Sequence, residues 1–98
     1  MEQDYYIKNT FSKFIEISGP DRGDFIQGII TNDINKCHDN KCIYSCLLSP
    51  QGKFLADFFI TNLNNHYLIE INQKFFEAFF SKLKIYKLRS KVDFKENN

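Results

Sequence analysis

The sequence predicts an α+β fold in which an antiparallel sheet is covered by two helices. Short runs rich in β-branched and aromatic residues, each bounded by turn-forming residues, are typical of strands and occur at 13–18, 42–48, 53–61 and 66–71. Two other segments repeat apolar residues at helical spacing. Because the middle strands follow one another across tight turns, they are expected to pair as hairpins, and the helices then cover one face of the sheet.

The first part of the chain predicts two strands and a helix. Residues 5–8 favour a short strand, and residues 13–18 favour a longer one. Gly19–Asp21 then indicates a helix that starts at Pro20, because proline suits the first helical position and an acid suits the first turn. We expect this helix to reach about Ile30. Its apolar face is formed by Phe25, Ile26, Ile29 and Ile30.

The second part predicts three antiparallel strands, a second helix and a last strand. Ser49–Gly52 favours a tight turn, because Pro50 presets φ and Gly52 accepts a positive φ, so residues 42–61 form a hairpin. Asn72 is placed to cap the second helix. The remaining segments are a loop over 35–41, a turn over 62–65, a strand over 66–71, a helix over about 73–87 and a strand over 91–94. The apolar stripe of that helix comprises Phe75, Phe76, Phe79, Phe80, Leu83 and Tyr86.

Length and composition restrict the class of protein. With 98 residues, 43% of them hydrophobic and 26% charged, the chain is expected to form one domain over 1–98. A net charge of +1 does not favour a strongly basic nucleic-acid binder. No apolar run approaches the about 20 residues that cross a bilayer, so no membrane partner is expected. The acidic start, Met1–Asp4, lacks the layout of a secretory signal, which predicts a cytoplasmic protein.

The three cysteines, Cys37, Cys42 and Cys46, are an odd number, which excludes a complete disulfide framework within one chain and favours reduced thiols. On a strand, Cys42 and Cys46 would lie ~13 Å apart, too far for one tetrahedral metal site. We therefore predict no metal site, and we expect these two side chains to act as small buried hydrophobes.

Asp57 is the carboxylate that the pattern singles out. It interrupts the apolar run Phe54–Ile60, and burying it there would be costly without a partner. Alternation places Asp57 on the same face as Leu55 and Phe59. Two interpretations remain open: the carboxylate faces solvent on an uncovered face of the sheet, or it faces a binding cavity, where it would accept hydrogen bonds from an amino-heterocycle.

The charges are divided unevenly along the chain. Residues 1–73 carry 6 basic and 9 acidic side chains, whereas residues 74–95 carry 7 basic and 2 acidic ones. The basic second helix supports an alternative function, a small α+β RNA-binding module. A solvated helix face is the more common explanation, so nucleic acid is not the expected partner.

A series of short segments, taken in order, resembles the YgfZ family, relatives of the glycine-cleavage T-protein (aminomethyltransferase). The resemblance extends over residues 13–94 or so. It rests on Ser18-Gly19-Pro20-Asp21, Phe25-Ile26-Gln27-Gly28, Thr31-Asn32-Asp33-Ile34, Leu47-Leu48-Ser49-Pro50-Gln51-Gly52-Lys53, Ala56-Asp57-Phe58 and Tyr86-Lys87-Leu88-Arg89-Ser90-Lys91-Val92.

The resemblance implies a folate-binding scaffold built from two similar strand–strand–helix–three-strand–helix units, of which this chain matches one. Tetrahydrofolate is the implied cofactor. Asp57 is the implied folate ligand, and Asn32, Asp33 and Tyr44 are further candidates near the cavity. A structural role is the alternative to ligand binding for these three residues. Asn32 and Asp33 would cap the first helix, and Tyr44 would be a core residue.

The sequence also departs from the pattern of the family at some positions. The T-protein relatives have Gly-Gly-x-x-Asp-Asp where this chain has Gly52–Asp57, with Ala56 in place of one acid. Aminomethyl transfer is therefore not expected, and no catalytic residue is predicted. The change is typical of the YgfZ side, which implies a role in iron–sulfur cluster assembly or repair, a link to tRNA modification, and iron–sulfur proteins as partners.

The length of the chain adds a last expectation. The chain ends before the Lys-Gly-Cys segment of the YgfZ family and before the second unit, so we expect incomplete folate binding by this chain alone. An uncovered face would favour a homodimer. A non-functional remnant of a split gene is a further alternative.

Overall fold

Five strands and two helices follow one another along the described part of the chain. The computed structural model describes residues 11–38 and 41–97. The predicted strand at 5–8 lies outside these residues. The elements are β1 (Ser12–Ser18), α1 (Arg22–Gln27), a short 3-10 helix (Ile34–Lys36), β2 (Cys42–Leu48), β3 (Phe54–Asn62), β4 (His66–Asn72), α2 (Gln73–Lys87) and β5 (Asp93–Asn97).

The strands form one antiparallel sheet in the order β2-β3-β4-β1-β5. The hairpin turns keep β2, β3 and β4 adjacent. β1 pairs with β4 on one side and with β5 on the other, so the first strand of the chain lies inside the sheet. The α+β fold with an antiparallel sheet and two helices is thus confirmed.

Alternation along the strands separates two faces of the sheet. The helices cover one face of the sheet, here called the helix face. Every second residue of the strands is therefore buried against the helices. Its buried strand residues include Ile15, Ile17, Ser45, Leu47, Ala56, Phe58, Ile60, Ile69 and Ile71. No helix of the described residues covers the other face, the open face. It presents Phe14, Glu16, Cys42, Tyr44, Cys46, Leu55, Asp57, Phe59, Leu68 and Glu70.

α2 has the bounds and the apolar stripe that the sequence predicts. The Asn72 side chain accepts a hydrogen bond from the Lys74 backbone N–H at 2.9 Å, which satisfies one of the free donors at the helix start. Phe76, Phe79 and Leu83 are buried against the sheet. The ring of Phe79 lies 4.8 Å from that of Phe58 on β3. This contact anchors the helix to the middle of the sheet.

α1 is shorter than predicted. It begins at Arg22 rather than Pro20, because the Asp21 carboxylate accepts a hydrogen bond from the Lys91 backbone N–H instead of capping the helix. Regular helix ends at Gln27, and a tight turn carries the hydrogen-bonded chain on to Ile30. The chain then leaves the helix because its next backbone groups bond to β2.

β5 starts later than the predicted strand at 91–94. Lys91 is held at the β1–α1 loop, since its backbone carbonyl accepts from the Asp21 N–H and its N–H donates to the Asp21 side chain. Strand pairing therefore begins at Asp93, opposite Ser18. Gly19 makes this close approach feasible: a Cβ there would lie 2.3 Å from the Lys91 carbonyl oxygen.

Candidate functional site

The free edge of β2 is covered by the loop that follows α1. The backbone N–H of Thr31 and that of Asn32 both donate to the Ser45 hydroxyl at 3.1 Å. The Thr31 N–H also reaches the Cys46 carbonyl, and the Thr31 hydroxyl accepts from the Cys46 N–H. These bonds satisfy backbone groups that an edge strand otherwise leaves open, and they fix the position of β2.

Tyr44 and Asp57 meet on the open face. The Tyr44 hydroxyl donates to Asp57 Oδ2 at 2.7 Å. The two residues are diagonal neighbours, because Asp57 pairs with Cys46 and Tyr44 pairs with Phe59. Cys46 Sγ lies 3.8 Å from the Tyr44 hydroxyl. Three side chains that carry protons or charge therefore share one patch of the sheet.

This hydrogen bond affects the ionisation of Tyr44. Donation to the Asp57 carboxylate holds the proton on the phenol and raises the Tyr44 pKa well above its ordinary value, with a smaller contribution from Cys46. Tyr44 is therefore a neutral donor throughout the physiological pH range. It fixes the Oδ2 end of the carboxylate, while Oδ1 of Asp57 has no donor among the described residues.

Aromatic rings border the carboxylate. The rings of Tyr44 and Phe59 lie 5.5 Å apart, tilted by 58°. Tyr44 is 50% exposed and Phe59 47% exposed, so both rings present a large free surface. Asp57 itself lies on β3 and is half-buried. The arrangement combines a hydrogen-bond acceptor of fixed orientation with flat apolar surfaces, which suits a planar ligand that carries N–H donors.

The structure places Asn32 beside this patch and directs Asp33 elsewhere. The Asn32 side chain donates to the Tyr44 backbone carbonyl at 3.0 Å and accepts from the Asp33 N–H at 2.7 Å. The Asp33 carboxylate caps the 3-10 helix through the Asn35 N–H. Neither side chain caps α1. Asn32 positions the backbone of β2, and Asp33 is exposed at the surface.

The cysteines lie differently from the prediction. Cys42 is exposed and Cys46 half-buried, because both point to the open face, while Ile43, Ser45 and Leu47 take the helix face. The buried cysteine is Cys37, where burial raises the thiol pKa. The described residues contain no group of side chains arranged to hold a metal ion.

Cys46 was missed as a member of the patch, and Phe59 was expected on the face of Asp57 but not as part of the site. Both follow from the same alternation that identified Asp57: residue 46 is two positions from Tyr44 on β2, and residue 59 is two positions from Asp57 on β3. Ser45 carried no comparable pattern, since a serine in an apolar strand does not reveal which loop it will bind.

A concave region lies on the helix side of the sheet, away from this patch. It is a cleft of about 380 Å³ between α1, the end of β2 and the C-terminal end of α2. Its lining is Phe25, Gly28, Ile29, Leu47, Leu48, Tyr86 and Ser90. Because this lining contains no charged group, it offers no acceptor comparable to the Asp57 carboxylate.

Comparison with known proteins places the chain in a family. Residues 8–96 match the family described as GCVT N-terminal domain, which is nearly the whole sequence. The chain belongs to this family. The resemblance to relatives of the glycine-cleavage T-protein is thereby confirmed.

Two groups of relatives match the GCVT-type chain. It is 36% identical over 95 residues to "Iron-sulfur cluster assembly factor IBA57 homolog, mitochondrial" from Neurospora crassa, a match that covers 90% of this chain and 22% of that protein. It is 44% identical over 59 residues to an aminomethyltransferase from Staphylococcus epidermidis, covering 59% of this chain and 16% of the relative. The chain thus spans about a fifth of the length of these relatives.

The fold is also that of a solved relative. Glycine cleavage system aminomethyltransferase T from Bartonella henselae superposes with a TM-score of 0.83 at 20% identity. The match covers 91% of this chain and 25% of that protein. The five-stranded sheet with its two helices is therefore the architecture of the N-terminal domain of an aminomethyltransferase.

Proposed function

We propose that this GCVT-type chain binds a reduced folate on its open face, with Asp57 as the main ligand, and that it belongs to the YgfZ side of the family. The observation that carries the proposal is the Asp57 carboxylate, oriented by the 2.7 Å hydrogen bond from Tyr44 and bordered by exposed rings. Membership of the family and its aminomethyltransferase relatives support folate as the ligand class.

The chemistry of a pterin suits this patch. A pterin ring carries an amino group and a ring N–H side by side, and a carboxylate accepts both when one of its oxygens is unoccupied. Oδ2 of Asp57 is engaged by Tyr44, which leaves Oδ1 and the remaining lone pair of Oδ2 for the ligand. The Tyr44 and Phe59 rings supply flat surfaces against which the heterocycle packs.

The other predicted ligands take supporting roles in this proposal. Asn32 holds the Tyr44 backbone, so it positions the hydroxyl that orients Asp57. Asp33 caps the 3-10 helix and is exposed at the surface, so it takes no direct part in holding the ligand. We expect substitutions at Asp33 to matter much less than substitutions at Asp57.

Folate transfer chemistry is not part of the proposal. Ala56 stands where the resemblance to the T-protein implies an acid, and its side chain is 1% exposed on the helix face. A carboxylate there would be buried among apolar groups and costly. The chain is proposed to bind the cofactor rather than to carry out aminomethyl transfer.

Calorimetric titration of the chain with tetrahydrofolate tests the proposal. We expect weak binding by the parent protein and at least a tenfold loss for Asp57→Asn, because the amide presents an N–H where the ligand donates. Asp33→Asn is the matched control and should retain binding. Equal affinity of Asp57→Asn and the parent would refute the assignment. Salt-sensitive binding of single-stranded RNA without any folate response would favour the RNA-binding alternative.

The cellular role follows from the relatives as a proposal. The Neurospora crassa relative is named as an iron–sulfur cluster assembly factor. We extend this to a role in iron–sulfur cluster assembly or repair, with iron–sulfur proteins as partners and a link to tRNA modification through enzymes that need such clusters. The free thiols of the chain suit a reducing compartment. The cytoplasm is the proposed location, and cell fractionation distinguishes it from the mitochondrion named for the relatives.

We also propose a homodimer in which a second copy packs on the open face and competes with the folate for Tyr44 and Phe59. Acidic side chains, Asp57 and Glu70, lie on the same face, so like charges would meet across the interface. We therefore expect dimerisation to strengthen as salt rises. Light scattering at micromolar concentration measures it, with Phe59→Ser as the disrupting variant and Phe11→Ser as a control at another exposed ring. A monodisperse monomer at high salt would exclude this assembly.

A further inference from the structure

An apolar knob projects from the C-terminal end of α2. Leu88 is 87% exposed and Ile85 is 61% exposed, the highest values among the exposed large hydrophobic residues of the described chain. Ile85 lies in the last turn of α2, and Leu88 is the residue that caps its C-terminal end. They point away from the sheet, whereas Leu83 and Tyr86 on the same helix pack toward it.

The fold does not account for a leucine at position 88. Its backbone φ is +42°, in the region that favours glycine, and it ends α2. A side chain that is almost fully exposed returns little burial energy for that strained backbone. Glycine would suit the position better as far as stability is concerned. The domain thus gains little stability from a leucine here, and the side chain is free to contact another surface.

Basic side chains surround the knob. The segment Lys84–Lys91, here called the α2 tip, contains Lys84, Lys87, Arg89 and Lys91 and no acid. The Asp21 carboxylate bonds to the Lys91 backbone rather than to one of these basic side chains. The Lys13–Glu96 ion pair lies at the other end of the helix layer.

The lysines of the tip lie along the surface rather than extending freely. The Lys84 ammonium lies 4.8 Å from the centre of the Phe80 ring, and the Lys87 ammonium lies 5.9 Å from that of Phe94. These cation–π contacts direct the two ammonium groups toward the rings, and Arg89 and Lys91 are the exposed basic residues that follow Leu88. The tip thus combines two exposed aliphatic side chains with a basic segment.

We propose that the α2 tip docks on an anionic lipid surface, with Ile85 and Leu88 entering the interface and the basic side chains contacting the headgroups. Aliphatic side chains on a convex projection fit a bilayer, and clustered cations are attracted to anionic headgroups. Single-stranded RNA fits less well, because its bases stack on exposed aromatic rings, and the exposed groups here are aliphatic. This surface contact differs from a membrane span: no described helix is long and apolar enough to cross a bilayer.

Sedimentation of the full chain with lipid vesicles measures the docking. Vesicles of phosphatidylcholine alone are compared with vesicles that also contain phosphatidylserine. We expect pelleting with the mixed vesicles only, weakened by added salt because the charges are screened. Leu88→Gly should lower the affinity about tenfold while keeping or raising the thermal midpoint. Arg89→Gln should lower it roughly fivefold.

Two matched controls lie away from the tip. Phe11→Ser removes an exposed ring at the opposite end of α2, since the Phe11 carbonyl accepts from the Gln73 N–H. Lys53→Gln removes an exposed cation at the β2–β3 turn. Both should pellet like the parent. The proposal would be overturned if the parent protein stayed in the supernatant, or if Leu88→Gly pelleted as the parent does. Binding of single-stranded RNA without binding of vesicles would overturn it as well.

A fluorescence measurement reports where the tip goes. The chain contains no tryptophan, so Leu88→Trp carries a single reporter. We expect its emission to shift to the blue with anionic vesicles and to be quenched by brominated lipid. Phe11→Trp should show neither effect. If Leu88→Trp pelleted with the anionic vesicles but its emission did not shift, the membrane contact would lie elsewhere on the protein. That result would contradict the role of the knob.

Discussion

Tyr44 and Asp57 are 13 positions apart in the sequence, and the antiparallel hairpin brings their side chains together. One hydrogen bond couples an exposed phenol to a half-buried carboxylate. Its consequence is a neutral tyrosine and a carboxylate with one engaged oxygen, which is the chemical basis of the proposed ligand site. At this scale the identity of two side chains matters more than the fold around them.

The ionisation of Tyr44 tests this coupling. In the parent protein the Tyr44 pKa is raised, first by donation to Asp57. In Asp57→Asn the acceptor loses its charge, so we expect the Tyr44 resonance to titrate closer to the ordinary tyrosine value, that is, at lower pH than in the parent. Carbon-13 NMR of labelled tyrosine follows the Tyr44 resonance in the parent and in the variant. An unchanged Tyr44 titration would show that the bond does not form in solution.

The β2 edge is the element that positions this pair. Ser45 accepts two backbone N–H groups from the loop after α1, and Asn32 in that loop donates to the carbonyl of Tyr44. A buried hydroxyl on the helix face therefore controls where a tyrosine on the open face lies. The connection runs through the backbone of β2, because neighbouring residues of a strand point to opposite faces.

Removal of the Ser45 hydroxyl should loosen the edge. We expect Ser45→Ala to lower the free energy of unfolding by about 1 kcal/mol, since the Asn32 N–H loses its acceptor while the Thr31 N–H keeps the Cys46 carbonyl. Ser49→Ala is the control, because Ser49 also accepts two N–H groups but in an exposed turn. Urea denaturation measures both. A larger loss for the Ser49 variant would contradict the importance of the edge.

The types of the elements were predictable from local patterns, but the pairing register of β2 with β3 was not. The hairpin, the Asn72 cap and the stripe of α2 follow from alternation and helical spacing, and each is confirmed. A regular hairpin closed by Ser49–Gly52 would set Tyr44 directly opposite Asp57. The observed register sets Cys46 there instead, because Ser49 pairs with Lys53 rather than with Gly52, and an irregularity between Leu47 and Leu48 shifts the pairing by one more residue. No local pattern reveals such a bulge, so the pairing of Cys46 with Asp57 was not predicted.

At the scale of the whole molecule, the loops after β1 and α2 hold the first and last elements together. The start of α1 and the start of β5 were misplaced in the prediction for one reason: Asp21 and Lys91 bond to each other across 70 positions. Local sequence patterns do not contain a contact at that separation. Gly19 permits it, since its φ of +113° and the nearby Lys91 carbonyl exclude a side chain.

Two glycine variants separate backbone strain from close packing. Gly19→Ala would suffer from both the positive φ and the close Lys91 carbonyl. We therefore expect it to lower the free energy of unfolding by about 3 kcal/mol or more. Gly52→Ala has a positive φ of 85° but open space around it, so about 1–2 kcal/mol is expected. Thermal denaturation of the two variants compares them. Similar losses would mean that the Gly19–Lys91 approach contributes nothing beyond backbone strain.

The central claim is that folate binds on the open face and not in the cleft between the helices. Titration of the labelled protein with tetrahydrofolate, followed by NMR of the aromatic side chains, distinguishes the two. We predict shifts at Tyr44 and Phe59, with Phe25 and Tyr86 of the cleft unaffected. Shifts confined to Phe25 and Tyr86, or no shifts at all, would contradict the account.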